Sequence, residues 1–144
     1  KNIQFYSTLS EEYRVFADRQ MVHSILLNLA TNAIKFTFPG GSVHFDAKIK
    51  IIDSSEDDST ADDQQKQIEI SITDTGTGMP AEALGRIFKI EDHFSLAGTS
   101  NEKGAGLGLI LVKEMAEKHG GTLRVVSEEG KGSTFSFTIP LAGN

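Results

Sequence analysis

The stretch Asn28-Leu29-Ala30-Thr31-Asn32-Ala33-Ile34-Lys35-Phe36-Thr37 sets two asparagines and a lysine about one helical turn apart. Residues at three- and four-residue steps share a helix face. Traced backwards, Val22, Ile25, Leu26, Leu29 and Ala33 keep the same step and form an apolar stripe. The pattern predicts a helix over 19–36 with that stripe buried. Asp18 is its natural N-cap, because a carboxylate there accepts from free amides of the first turn. Pro39-Gly40-Gly41 ends it. Asn28, Asn32 and Lys35 occupy the neighbouring stripe. A polar face that starts midway along an apolar helix borders the core rather than open solvent.

Two glycine boxes lie downstream: Asp74-Thr75-Gly76-Thr77-Gly78, then Gly104-Ala105-Gly106-Leu107-Gly108-Leu109. Each piece alone is common. In this order they suggest a nucleotide site with a metal-ligand stripe, an adenine pocket and a lid over the phosphates. The lid would span about 90–104 and carry few apolar anchors beyond Phe94 and Leu96.

The remaining segments alternate as strands do. Ile3 to Tyr6 and Tyr13 to Ala17 are short aromatic and β-branched runs, predicted as a hairpin or adjacent strands. Residues 43–52 set Val43, Phe45, Ala47, Ile49 and Ile51 on one face. Residues 68–72 alternate again and run into Asp74. Between these two strands, 53–66 is acidic, serine-rich and aperiodic, as a solvated hairpin loop would be. Pro80 suits the first turn of a short helix reaching about Phe88. A last helix spans 107–119, stopped by Gly120-Gly121, and strands follow at 123–127 and 134–139. The count is about six strands and three helices. Its economical packing is α+β: a two-layer α/β sandwich, a mixed and mostly antiparallel sheet covered on one face by helices.

The chain has 144 residues, the size of one domain, so 1–144 is read as a single unit. It has 14 basic against 20 acidic residues, a net charge of −6, which disfavours general nucleic-acid binding. With no cysteine, disulfides and thiolate metal sites are excluded. No apolar run reaches the ~18 residues of a membrane span, so no membrane contact is expected of this domain. The first residue is Lys1 rather than Met, as in a piece of a longer protein. A cytoplasmic setting is expected, whether or not the parent is membrane-anchored.

The residue types fit the chemistry. Mg²⁺ takes oxygen ligands and keeps several waters, so one amide oxygen suffices when phosphates supply others. Asn32 is the candidate metal ligand, and its neutral amide adds no negative charge beside a polyanion. Lys35 can meet phosphate oxygens as a point charge. Gly76 and Gly78, followed by Met79, let the backbone approach a flat base. A carboxylate accepts from the exocyclic amine of adenine, which guanine lacks at that place, so Asp74 is the candidate adenine selector. Glycines at 104, 106 and 108 free amides toward phosphate where a helix begins.

The stretch from Asn28 to Thr37 resembles the N box of the catalytic, ATP-binding domain of sensor histidine kinases. Nearly the whole chain follows that family's order of motifs. The resemblance implies the GHKL superfamily sandwich (Bergerat-type fold), with ATP and Mg²⁺ as cofactors. It assigns Asn32 to the metal, Asn28 and Lys35 to the phosphate side, and Phe36 to a place near the adenine. It sets Thr134 near the same base and the second glycine box, with Ala105, Leu107 and Leu109, over the phosphates. Ile87-Phe88 resembles the start of the F box, after which the match degrades. His93 then falls where many relatives carry an arginine aimed at the γ-phosphate; Lys89 and Lys103 are alternatives.

ATP-hydrolysing relatives of that superfamily resemble one another in carrying Glu where this chain has Asn28. An amide cannot take a proton from water. None of His23, His44, His93 and His119 is followed by an acid as in a phosphoacceptor box. The resemblance therefore implies phosphotransfer to a histidine on a separate dimerisation domain, with a response regulator receiver domain as the further partner. The alternatives are a nucleotide-binding regulatory module without phosphotransfer and a GHKL-type ATPase.

Overall fold

Period-two alternation in the β-rich segments produces one five-stranded sheet. The computed structural model describes residues 2–7, 15, 17–52, 65–88 and 108–141. Its strands are β1 (Gln4–Ser7), β2 (Ser42–Ile52), β3 (Gln65–Asp74), β4 (Leu123–Glu128) and β5 (Gly132–Pro140). Their order is β1-β2-β3-β5-β4, antiparallel except for the parallel β1–β2 pair. The helices among the described residues are α1 (Arg19–Phe36), α2 (Ala81–Leu84) and α3 (Gly108–Lys118).

The sheet has two chemically different faces. Val43, Ile68, Ile72, Phe135, Phe137 and Ile139 share the buried face and meet Ile25, Leu29 and Ala33 of α1 and Val112 and Ala116 of α3 in one core. The other face is polar. Glu69, nearly buried there, has Lys48, Lys50 and Arg124 each at 3.5 Å. Ser71 pairs with Ser136 and Thr73 with Thr134, oxygen to oxygen at 2.9 Å in both cases. The fold is the two-layer sandwich expected from the sequence.

Helix α1 begins as its cap requires. The Asp18 carboxylate accepts from the amides of Gln20 and Met21 at 2.9 and 3.1 Å. Ile25, Leu29 and Ala33 are buried, with Val22 and Leu26 packed beside them.

Three expectations are corrected. Among the described residues the first aromatic run pairs in parallel with β2 rather than in a hairpin, and of the second run Val15 makes an isolated bridge to Leu141, while Tyr13, Arg14 and Phe16 lie outside the described residues. The sheet therefore has five strands among the described residues, not six. Helix α2 stops at Leu84, because at Gly85 the backbone tightens into turns, with Arg86 N–H donating to Ala83 O at 2.9 Å. The loop predicted over 53–66 yields its last two residues to β3, which starts at Gln65; 53–64 lies outside the described residues. So does the lid at about 90–104. No helix among the described residues is long and apolar enough to cross a membrane.

Candidate functional site

The first glycine box is clamped between the end of α1 and the β4–β5 hairpin. Thr77 N–H donates to Phe36 O at 3.0 Å, on the last residue of α1. Gly76 lies so close that a Cβ there would stand 2.0 Å from the same oxygen. Gly78 has φ +64°, and its Cβ would stand 1.9 Å from Glu128 O. Both positions need glycine, one for space and the other for space and backbone handedness. On the far side, Gly130 N–H donates to Thr77 O at 2.6 Å, and Met79 N–H donates to Ser127 Oγ at 2.8 Å.

Asp74 ends β3 at this clamp and is only 3% exposed. Its Oδ1 accepts from Gly76 N–H at 2.9 Å, and the Ser133 backbone N–H also hydrogen-bonds the carboxylate. Burial pushes its pKa above the ordinary carboxylate value, and the two backbone hydrogen bonds oppose that rise without cancelling it. Among the described residues its partners are backbone amides, not cations. A buried carboxylate without a counter-ion is rare unless the site uses it.

Helix α1 brings Asn28, Asn32 and Lys35 to one partly buried edge. Asn28 Nδ2 donates to Ser24 O at 2.8 Å within the helix. Its Oδ1 faces the start of α3, where a Cβ on Gly108 would stand 3.2 Å away. None of the described residues hydrogen-bonds the Asn32 side chain. Lys35 Nζ lies 5.0 Å from the centre of the Phe36 ring. Leu109 and Phe88 pack against the core from the α3 side, with Lys113 Nζ 5.6 Å from the Phe88 ring centre.

The structure thus gathers Asn28, Asn32, Lys35, Phe36, Asp74, Gly76, Gly78, Met79, Phe88, Gly108 and Leu109 in and beside the helical layer. Gly104, Ala105, Gly106, Leu107 and His93 lie outside the described residues. Thr134 is different. The register pairs it with Thr73, one residue out of step with the Asp74–Ser133 pair. Alternation turns its side chain to the polar face, away from Asp74. Ser133 stands on the carboxylate's side instead, its Oγ 2.7 Å from Ser127 Oγ. The sequence reading missed both serines. A strand serine carries no periodic signal, and only the offset between the Asp74 strand and its partner reveals them.

The fold and sequence have recognisable relatives among known proteins. Residues 17–143 match the family described as histidine kinase-, DNA gyrase B-, and HSP90-like ATPase. The adaptive-response sensory kinase SasA of Synechococcus elongatus is 35% identical over 127 residues, covering 88% of this chain and 29% of that protein. Among solved structures, the mycobacterial sensor histidine kinase MprB superposes with a TM-score of 0.73 at 28% identity, covering 99% of this chain and 85% of that one. Full-length ShkA in complex with AMPPNP gives 0.67 at 32% identity, covering 99% and 26%. The chain spans about a third or less of the first curated relatives it matches.

Proposed function

The chain belongs to the histidine kinase-, DNA gyrase B-, and HSP90-like ATPase family, and within it we propose that this is the ATP-binding, phosphoryl-donating domain of a sensor histidine kinase. The observation that carries the reading is Asp74: a buried carboxylate, raised in pKa, held by backbone amides beside a glycine-lined clamp. Such a group costs folding stability unless a ligand uses it. The exocyclic amine of adenine is a fitting donor. The full-length ShkA structure holds an ATP analogue, and the same ligand class is proposed here.

The residues present fit Mg²⁺ as well as ATP. Asn32 offers an amide oxygen that no described residue occupies, and Lys35 lies one turn further along. Bound there, Mg²⁺ would neutralise phosphate charge. The chain's own residues bind and orient the nucleotide; they supply positioning and electrostatics rather than covalent chemistry.

Asn28 favours transfer over hydrolysis. Its amide is not a base, and its Nδ2 is already committed to Ser24 O. The nucleophile is then an imidazole nitrogen on a separate acceptor domain. That nitrogen forms the P–N bond as the γ-phosphorus leaves the β–γ bridging oxygen. ADP departs with the electron pair, and a base on the acceptor domain takes the imidazole proton. The receiver domain of a response regulator is the next partner.

The test uses labelled ATP. Acid-labile label should appear only after the parent's histidine-bearing helical domain is added, and on that domain. Label on any of this chain's four histidines, or turnover near the ~10 s⁻¹ median of dedicated enzymes, would overturn the reading.

A further inference from the structure

Helix α3 touches α1 at both ends of their overlap. At one end is the Gly108–Asn28 contact already described. At the other, His119, just past the last turn of α3, accepts at Nε2 a hydrogen bond from the backbone N–H of Asp18 at 2.9 Å. Asp18 is the N-cap of α1. The two contacts therefore run antiparallel, separated by about 15 Å along α1 and about 16 Å along α3 at 1.5 Å per residue. The spacings match, so both contacts can form at once.

The hydrogen bonds also fix the ring's chemistry. Nε2 accepts from a backbone N–H and so carries no proton. Nδ1 lies 2.8 Å from Met115 O, one turn back in α3, and must donate to it. His119 is thus held as the neutral Nδ1–H tautomer, with both ring nitrogens used.

We propose that His119 is the positioning residue that fixes how far along α1 the helix α3 sits, and so where Gly108 meets Asn28. The inference rests on the nucleotide reading of the Asn28–Asn32 edge. The argument is one of directionality. Between the helices and the sheet, Ile25, Leu29, Val112 and Ala116 pack as apolar side chains, and apolar contact is non-directional. Shifts of about 1–2 Å between packed helices are a common mode of movement. A shift of that size would open or close the Gly108–Asn28 approach, where a Cβ on Gly108 would stand only 3.2 Å from Asn28 Oδ1. A hydrogen bond to a backbone N–H at a capped helix start is a fixed point, because Asp18 is itself held by its carboxylate bonds to Gln20 and Met21.

Three substitutions separate reach from presence. Gln can bring an acceptor oxygen about as far as Nε2; Asn reaches only about as far as Nδ1; Ala does neither. Each variant is titrated with an ATP analogue and Mg²⁺ well below its unfolding midpoint. Losing one neutral hydrogen bond sets the scale at about 2- to 12-fold. His119→Ala and His119→Asn should weaken the analogue by up to that factor, and His119→Gln should stay within about twofold of the unsubstituted chain on the same scale. A merely structural histidine would lower the unfolding midpoint in all three variants and leave affinity alone; that result overturns the proposal. So does a Gln variant as weak as the Asn variant. Two readouts need no ligand. The ring nitrogen resonances should report a protonated Nδ1 and a bare Nε2, and the opposite tautomer refutes the lock. The Asn28 side-chain amide resonance should move in the Ala and Asn variants and hold in the Gln variant. If the unsubstituted chain fails to bind the analogue, the nucleotide reading falls, and the Asn28 resonance still decides the lock.

Discussion

Asp74→Asn should move stability and nucleotide affinity apart. The side chain is buried and accepts from Gly76 N–H at 2.9 Å. Alanine would be a poor probe, because it strips acceptors from two backbone amides, and each buried unsatisfied donor costs about 1–3 kcal/mol. Asparagine keeps a carbonyl oxygen for Gly76 and removes the charge. Burial works against that charge in the free domain, so its removal offsets part of whatever the amide loses at Ser133. The free variant's stability should stay within about 1 kcal/mol of the parent. Binding should behave differently. On the proposed reading the carboxylate would accept a charge-assisted hydrogen bond from the adenine amine, worth roughly 1.5–3 kcal/mol, or about 10- to 150-fold in Kd. The assay is calorimetric titration with a non-hydrolysable ATP analogue and Mg²⁺, beside thermal unfolding without ligand. An unchanged Kd would refute the adenine role. So would a GTP analogue that binds the parent as well as the ATP analogue does.

The pH dependence follows from the same carboxylate. Its folded pKa is raised, so the free domain loses stability as pH climbs from the ordinary carboxylate value to the folded one, and this contribution is flat above that window. Analogue binding should run the other way, weakening as pH falls through the folded pKa; equal affinity across that window would contradict it. Asn32→Ala should abolish the Mg²⁺-dependent part of ATP binding while the unfolding midpoint holds, and undiminished Mg²⁺-dependent affinity would remove Asn32 as the metal ligand. Gly76→Ala must displace the end of α1 or the box itself, since its Cβ would lie 2.0 Å from Phe36 O. A loss of about 1–3 kcal/mol in stability is expected, together with weakened analogue binding; chemical denaturation showing neither would mean the clamp is not rigid.

Local periodicity made most of the architecture legible. The apolar stripe of α1, its Asp18 cap and the alternation of β2 and β3 are written at three- to four-residue or two-residue steps, and each element formed around its pattern, with β3 starting three residues earlier at Gln65. What failed was non-local. The first strand has no residue that says whether it pairs with its neighbour in sequence or with β2, nearly 40 residues on. Gly85 ends α2 early although Ile87 and Phe88 continue the apolar pattern. Thr134 shows the sharpest limit. Strand residues alternate faces, so an offset of one residue sends a side chain to the opposite side of the sheet. The motif pointed to this strand end, and the register with β3 sets Ser133 rather than Thr134 beside Asp74.

On the nucleotide reading, the two halves of the candidate site are built by different means. The half proposed for the base is made of backbone: Phe36 O, Thr77, Gly78 and Glu128 O approach within hydrogen-bond or contact range, and Ser127 ties Met79 to the β4–β5 hairpin. Backbone clamps are costly to deform, so a flat, uncharged ring meets a surface already in place. The half proposed for the phosphates is made of side chains at the edge of α1. Asn28 is bonded within its own helix, and the Asn32 amide is left without a described partner. An amide without a described partner and a nearby lysine would suit a metal whose other ligands are waters and phosphate oxygens, because those ligands would complete the geometry when they arrive. On the proposed reading, a backbone-built base pocket joined to a side-chain phosphate edge would let adenine anchor the nucleotide while the γ-phosphate stays free to leave.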